Sequence, residues 1–250
     1  MTTLRRRFVG AACIAAIMGL ALGISGKGWA QMNASLKRQE AEWKKLTERS
    51  SLLYKQHRYE EATAVAQEAL QLAERAFGPE HLHVAAALTN LSLLLEAQDK
   101  QDRIEPLLLR ALAIREHALG PNHIDVAKSL SNLGRLYHSK EQYQQAEPLY
   151  QRSLTIWETQ VDPHSVPLAT ALHDLVSLYR DEGKDADAEP LVKRELEIWE
   201  YAMGYDHPML AYVLDTYADV LRKIGNEKKA VSVESRANRI RRQRDAEVQP

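Results

Sequence analysis

The chain has 250 residues, of which 45% are hydrophobic and 27% are charged, with a formal net charge of −1. These values exclude a collagen-like, low-complexity or disordered protein. The near-neutral charge argues against a general affinity for nucleic acid or anionic lipid, so we expect neither as a partner.

The first 30 residues are predicted to be a secretory signal peptide. A basic start (Arg5, Arg6 and Arg7) precedes an apolar run from Phe8 to Ile24, and residues 25–30 form a polar exit with small side chains. This three-part layout predicts cleavage after Ala30 and export to the periplasm or outside the cell. The alternative is an uncleaved membrane anchor, because the run is at the short edge of what spans a bilayer. The basic start resembles a twin-arginine export signal, but Leu4 departs from it, so Sec and twin-arginine routes both stay open.

Cleavage would change both the charge and the redox chemistry of the chain. The leader holds four basic residues and no acidic one, so the formal charge would become −5. It also holds Cys13, the single cysteine of the sequence. The mature protein would therefore have no disulfide and no thiolate ligand, and packing alone would stabilise it.

After the leader, one pattern recurs every 42 residues. The phrase Gly-Pro-Asn-His and its variants begin at Gly78, Gly120, Asp162 and Gly204, and apolar columns such as Leu88, Leu130, Leu172 and Leu214 repeat at the same interval. Five units follow one another without an insertion, which is typical of a repeat protein. The predicted units are 36–77, 78–119, 120–161, 162–203 and 204–245, with a flexible tail at 246–250.

Each unit is predicted to contain two amphipathic helices, because its apolar residues recur at steps of three or four. Gly78, Gly120 and Gly204 are predicted to end the second helices with a left-handed residue, and Asp162 to take the same role in the fourth unit. Pro106, Pro148 and Pro190 fall within the second helices. We expect either a helix start close to each proline or a shared bend.

The sequence Leu133-Gly134-x-x-Tyr137, followed by Tyr143-x-x-Ala146 and Tyr150-x-x-Ser153, resembles the tetratricopeptide repeat. The 42-residue period and the phrases Leu-Ser-Asn-Leu and Ala-Glu-Pro-Leu-Tyr are similar to the kinesin-light-chain type. The resemblance covers about residues 36–245. It implies an all-α fold, a right-handed α-solenoid of about five helix-turn-helix repeats over residues 31–245, in which small residues (Ser92, Gly134 and Ala218) let paired helices approach closely.

The resemblance also implies a peptide-binding groove lined by the first helix of each repeat. Amides that recur once per repeat can bond the backbone of an extended peptide, and flanking arginines can hold acidic groups. The alternative is that these amides bond within or between hairpins, and the column departs from Asn in the later repeats. The candidate residues are Asn90, Lys128, Ser131, Asn132, Arg135, His138, His173, Asp174, Ser177 and Arg180.

No catalytic, cofactor or metal motif is found in the sequence, so we expect no cofactor and no enzymatic activity. His81, His123 and His207 share one repeat column and are expected to cap helices, since equivalent points on stacked helices lie too far apart to share a zinc ion. The predicted function is a non-enzymatic scaffold or adaptor in the bacterial periplasm or envelope that binds a protein or peptide partner. A self-associating homo-oligomer, or an accessory subunit of an exported enzyme complex, is the alternative.

The last helix is crowded with arginines: Arg236, Arg239, Arg241, Arg242 and Arg244. A polar terminal helix is what a repeat array needs as a cap. The alternative is a basic strip that docks on anionic lipid or an acidic partner. Apart from that strip, membrane contact is expected only through the leader.

Overall fold

The computed structural model describes residues 26–248, and within them the chain is all-helical. The described residues form ten α-helices and one short 3-10 turn, Gln101–Arg103. The helices are α1 Gly26–Lys55, α2 Tyr59–Phe77, α3 Leu82–Glu96, α4 Ile104–Leu119, α5 Ile124–Ser139, α6 Tyr143–Gln160, α7 Val166–Asp181, α8 Asp185–Met203, α9 Leu210–Lys223 and α10 Glu227–Val248. The predicted all-α, helix-turn-helix architecture is confirmed.

The predictions made for the leader concern mainly residues 1–25, which lie outside the described residues. Its last part, from Gly26, forms the beginning of α1. Among the described residues, no helix is both long enough and apolar enough to cross a membrane.

The chain divides into two compact units, with the boundary between Leu94 and Leu95 inside α3. In the first unit α1 packs along α2, and Ser50 Oγ donates a hydrogen bond of 3.0 Å to the carbonyl of Ala62 across their contact. The indole of Trp43 is buried and stacks on the ring of His83, with centroids 4.1 Å apart. This stacking joins α1 to the start of α3.

In the second unit the helices pair as antiparallel hairpins that stack on one another. The pairs α5–α6, α7–α8 and α9–α10 form the hairpins, and α6 packs on α7 as α8 packs on α9. The core of the last two hairpins includes Val176, Val192, Leu214 and Tyr217, all nearly inaccessible to solvent. A two-helix hairpin cannot bury its apolar face alone, so this stacking provides the core.

The turn between the two helices of every hairpin contains a residue with positive φ. These residues recur at 42-residue spacing, and only two of them are glycines. They are His57, Asp99, Glu141, Gly183 and Gly225, with φ between 56° and 80°. The amide that follows each one donates to a carbonyl five residues earlier, as Gln142 does to Tyr137 at 2.9 Å. This is the hydrogen bond of a Schellman motif, which satisfies the carbonyl groups at the helix end.

The connections between hairpins use a second set of positive-φ residues. Gly78, Gly120 and Gly204 directly follow α2, α4 and α8, with φ of 92°, 87° and 87°. The prediction of a helix-ending glycine is therefore right at these three positions. It is wrong for Asp162, because the chain leaves α6 through an extended Val161 at φ −127° and Asp162 has no positive φ. Its carboxylate instead accepts a 2.8 Å hydrogen bond from the amide of His164.

The helices of the α5–α6 hairpin cross at Gly134. A Cβ atom on this residue would lie 2.7 Å from Cε1 of Tyr150, whose side chain is 1% exposed. The predicted role of Gly134 in close approach is therefore confirmed. Any larger residue would have to displace a buried aromatic ring.

Two series of polar contacts join consecutive hairpins in the second unit. Tyrosine hydroxyls of α5, α7 and α9 each donate a 3.0 Å hydrogen bond to a glutamate of the preceding second helix: Tyr137 to Glu105, Tyr179 to Glu147 and Tyr217 to Glu189.

Each of these glutamates immediately precedes one of the three prolines. Pro106 lies in the first turn of α4, as one alternative predicted, whereas Pro148 and Pro190 lie inside α6 and α8.

The second series consists of ion pairs between successive second helices. Arg152 lies 2.6 Å from Glu116, and Arg194 and Arg236 pair with Glu158 and Glu200 in the same way. Arg152 and Arg236 also donate to the carbonyls of Pro121 and Tyr205, in the connections between hairpins. The same guanidinium groups therefore hold both a neighbouring helix and a turn.

The hairpin turns generate a stability prediction. Replacing Glu141 by Gly should raise the free energy of unfolding by about 0.5–1 kcal/mol, because a left-handed conformation is strained for any residue with a Cβ. At the equivalent position, Gly183→Ala should lower it by about 1 kcal/mol. Urea unfolding of both variants measures the two changes, and a Glu141→Gly variant as destabilised as Gly183→Ala would contradict this explanation.

The helix crossing generates a second prediction. Gly134→Ala should lower the free energy of unfolding by about 1–3 kcal/mol, because the new methyl group overlaps the ring of Tyr150. In a Tyr150→Leu background the same substitution should cost less than half as much, since the ring is gone. Equal costs in both backgrounds, measured by thermal and urea unfolding, would show that the ring is not what excludes a side chain.

Candidate functional site

The predicted groove residues lie on first helices in both units. Asn90 lies on α3 in the first unit. The other nine lie on α5 and α7 in the second unit, where these two helices contact each other. Each unit therefore presents its own part of the candidate surface.

On α5, most of the predicted binding groups have partners within the protein. The ammonium of Lys128 lies 2.9 Å from the carboxylate of Asp125, and Arg135 donates to the Oδ1 atom of Asn132. Ser131 bonds the hydroxyl of Ser153 on α6 at 2.9 Å, and His138 Nε2 lies 2.9 Å from an oxygen of Asp181 on α7. For Asn132 the structure thus favours a role within the fold over a free amide.

Asp174 on α7 takes the repeat position of Asn90 and Asn132. Burial raises the pKa of its carboxyl, while Arg135, His173 and a hydrogen bond from Ser131 act in the opposite direction. Its carboxylate is therefore held among groups of α5 and α7, and it connects the two helices electrostatically.

A histidine–glutamate pair, in which the glutamate is buried and the histidine half-buried, lies behind this surface. His173 Nδ1 is 3.2 Å from Oε1 of Glu195 on α8, and Glu195 is 2% exposed. The hydroxyl of Ser177 lies 3.4 Å from the other ring nitrogen of His173. The remaining predicted residue, Arg180, lies 3.5 Å from Asp219 on α9. The equivalents of Glu195 in the other repeats are small residues: Ala69, Ala111, Ser153 and Ala237.

In the first unit, α1 and α3 enclose a cleft of about 180 Å³. Its lining residues are Ser50, Ser51, Tyr54, Lys55, Asn90, Leu93 and Leu94. Tyr54 and Leu93 are each 43% exposed, so the cleft has an apolar wall that solvent reaches. Within the described part of the chain, the side chains of Asn90 and Lys55 form no hydrogen bond and no ion pair.

Of the cleft residues, the sequence predicted only Asn90. The repeat register contains the missing signal, because Tyr54 takes the position of His138 and Arg180, and Leu93 that of Arg135 and Ser177. At Tyr54 and Leu93 the first unit therefore has apolar side chains where α5 and α7 have polar ones. Reading each column for its departures, rather than for its common residue, would have found the cleft.

Of the histidines in the shared repeat column, His81 and His123 cap helices, whereas His207 lies in the turn before α9, which begins at Leu210. The Nδ1 atoms of His81, His123 and His207 each accept a hydrogen bond of 3.1–3.2 Å from the amide two residues later. Among residues 26–248, no group of three or more His, Cys, Asp or Glu side chains could hold a metal ion. These histidines therefore serve the fold.

Three arginines of the last helix are paired inside the protein. Arg236 pairs with Glu200, Arg239 lies 3.6 Å from Asp206, and Arg241 pairs with Asp215. The side chain of Arg244 lies outside the described residues. Because these three charges are already neutralised, the contacts favour the cap over a basic strip.

Comparison with known proteins is consistent with this geometry. The family model described as "Tetratricopeptide repeat" matches residues 45–117, 102–159 and 167–243. No curated protein matches the sequence.

Among solved structures, a variant of a putative kinesin light chain from Podosopora anserina with nearly identical repeats has a TM-score of 0.72 and 18% identity, covering 81% of this chain and 96% of that one. BtubC (BKLC) from P. vanneervenii has a TM-score of 0.72 and 20% identity, covering 86% and 92%. A MamA RS-1 double mutant has a TM-score of 0.61 and 14% identity, covering 82% and 97%. At these identities the likeness concerns the fold alone.

The His173–Glu195 pair predicts a pH-dependent stability. The hydrogen bond that His173 donates to the carboxylate of Glu195 raises the pKa of His173 against the opposing effect of burial. The charges of Glu195 and Asp174 raise this pKa further, and that of Arg180 lowers it. Because the folded-state pKa is raised, this stabilisation is complete below the unfolded pKa and is lost as pH rises through the folded one. The free energy of unfolding should therefore fall as the pH rises above 6.5, the ordinary pKa of histidine.

Glu195→Gln should flatten this dependence, because the glutamine has no charge to stabilise the imidazolium. His164→Gln, at an exposed histidine, is the matched control and should leave the slope unchanged. Urea unfolding across the pH series measures both. A slope that persists in Glu195→Gln would assign the pH dependence to other groups.

Proposed function

Because the chain belongs to the tetratricopeptide repeat family, we propose that it is a non-enzymatic scaffold that binds a partner protein or peptide on its first helices. Tetratricopeptide repeats commonly mediate protein–protein contacts, and the fold alone does not specify the partner. The leader (Arg5–Arg7, Phe8–Ile24 and the exit to Ala30) supports placing this scaffold in the periplasm or cell envelope of a bacterium.

The cleft between α1 and α3 supports the first unit as the binding site. Ligand sites combine an apolar concave wall with a few polar groups that are free to bond. In this cleft Tyr54 and Leu93 provide the wall, while Asn90 and Lys55 have no partner within the described part of the chain. This unoccupied hydrogen-bonding capacity is the observation that carries the proposal.

The chemistry of the cleft determines the kind of peptide that fits. An apolar side chain would enter between Tyr54 and Leu93, and the amide of Asn90 would bond the peptide backbone, since it can both donate and accept. The ammonium of Lys55 would hold a carboxylate next to the apolar residue. The partner is therefore a segment with an apolar anchor flanked by an acidic residue.

The corresponding face of the second unit has a different role in this proposal. Arg135 bonds Asn132, His138 bonds Asp181, and Asp174 is held between α5 and α7. A ligand that took these groups would have to break a contact within α5 and two sets of contacts between α5 and α7, and each broken contact would reduce its affinity. We therefore place the primary contact with the partner in the first unit.

Selection from a random peptide display library on the full-length chain tests this proposal. The selected peptides should share an apolar residue beside an acidic one. Asn90→Ala should weaken their binding about five- to tenfold, the equivalent of one hydrogen bond, and Lys55→Glu should weaken it at least about tenfold through charge repulsion.

Two matched controls accompany these variants. Lys45→Glu makes the same charge change on an exposed residue of α1, and Asn132→Ala truncates the equivalent amide in the second unit. Both should retain binding within about twofold. Peptides whose affinity falls with Asn132→Ala and not with Asn90→Ala would place the site in the second unit and contradict the proposal.

A further inference from the structure

The ion pairs between second helices follow a fixed polarity. In the second unit each pair joins a glutamate of one hairpin to an arginine of the next: Glu116 with Arg152, Glu158 with Arg194, and Glu200 with Arg236. The arginines form one repeat column, and the glutamates form another. A hairpin in this series therefore presents a carboxylate to its successor and a guanidinium to its predecessor.

In the first and fifth hairpins, one of these two columns carries the opposite charge. The arginine column contains Glu68 on α2, and the glutamate column contains Arg242 on α10. Both side chains are exposed, and within the described residues neither forms an ion pair. Arg242 only donates from Nε to the carbonyl of Asn238 at 3.3 Å, on its own helix. The two reversed positions thus have opposite charges.

Exposed apolar residues accompany these reversed charges. Leu52 on α1 is 56% exposed, whereas its equivalents in later hairpins are buried. Those equivalents are Leu94, Leu136, Leu178 and Val220. In the fifth hairpin, Val231 is 50% exposed at the column where Glu105, Glu147 and Glu189 receive the tyrosines of the next hairpin. Each of the two faces therefore combines one exposed aliphatic side chain with one unpaired charge.

We propose that the face formed by Val231 and Arg242 binds the face formed by Leu52 and Glu68 of a second copy of this chain. The register of the repeat places Arg242 of one copy opposite Glu68 of the other, as Glu200 lies opposite Arg236 within the chain. In the same register Val231 lies opposite the column of Tyr137 and Tyr179, which in the first hairpin holds Leu53, the neighbour of the exposed Leu52. An apolar contact of Val231 with Leu52 and Leu53 would then take the place of the glutamate–tyrosine bond. A second copy is the occupant because this sequence supplies both complementary halves.

The reversed charges make this contact selective. If the fifth hairpin docked at any internal junction of another copy, Arg242 would face an arginine such as Arg152 or Arg194, and like charges would repel. The contact joins two different surfaces, so it is heterologous and repeats from copy to copy. This inference is independent of the proposed peptide cleft, whose residues it does not use.

Charge reversal in the full-length chain tests the contact. The wild-type protein should show a mass by sedimentation that rises with concentration and falls with added salt. Arg242→Glu or Glu68→Arg alone should weaken the association at least about tenfold, because each places like charges opposite each other. The double variant, with both charges exchanged, should recover the wild-type association within about threefold.

Lys228→Glu is the matched control, since it makes the same change on an exposed residue of the same helix and should leave the association intact. Circular dichroism of each variant confirms that the helices remain. A wild-type protein that is monomeric at every concentration would overturn the inference. So would association that single reversals leave unchanged, or that the double variant fails to recover, since either places the contact elsewhere.

Discussion

The contact between consecutive hairpins is the interaction on which the second unit depends. Within a hairpin the helices cross so closely that Gly134 can carry no side chain against Tyr150. The apolar surface that remains exposed on a hairpin is covered by the next hairpin. The same packing places Tyr137 on Glu105 and Arg152 on Glu116. Burial provides most of the free energy, and these oriented polar contacts fix the register of one hairpin on the next.

The two units differ in whether the polar side chains of their first helices bond other residues of the protein. In the second unit the polar side chains of the first helices bond one another, as His138 does with Asp181 and Arg180 with Asp219. In the first unit the same repeat positions hold Tyr54 and Leu93, and Asn90 and Lys55 keep their polar groups unpaired within the described residues. The proposed recognition site therefore lies where the repeat departs from its own pattern, and the bonded polar groups lie on the first helices of the second unit.

The repeat and its all-α fold could be predicted from the sequence because apolar periodicity and the glycines of the connections act locally. Gly78 and Gly120 are identifiable since no other residue adopts their backbone conformation without strain. The positive φ of His57, Asp99 and Glu141 was not predicted, because none of them is a glycine, although His and Asp adopt this conformation more often than most residues. Asp162 is the opposite case. Its repeat position predicted a positive φ, but the chain leaves α6 through the extended Val161 and Asp162 has no positive φ.

The candidate site was less predictable than the fold for a physical reason. A periodic column reveals which face of a helix a residue occupies, but not whether its polar group already has a partner. That depends on side chains 22 to 43 positions away, such as Glu195 for His173 and Asp181 for His138. The register places Asn90 and Asn132 at the same repeat position, and only the contacts distinguish the amide without a partner in the described residues from the bonded one.

Site-specific photocrosslinking in the cells that produce the protein is the most direct test of where a partner binds. A photoreactive amino acid would replace Leu93 in the cleft of the first unit or, in a parallel strain, Arg135 at the same repeat position in the second. This account predicts a discrete adduct of higher mass from position 93 that Lys55→Glu abolishes, and none from position 135. An adduct from position 135 with none from position 93 would contradict it.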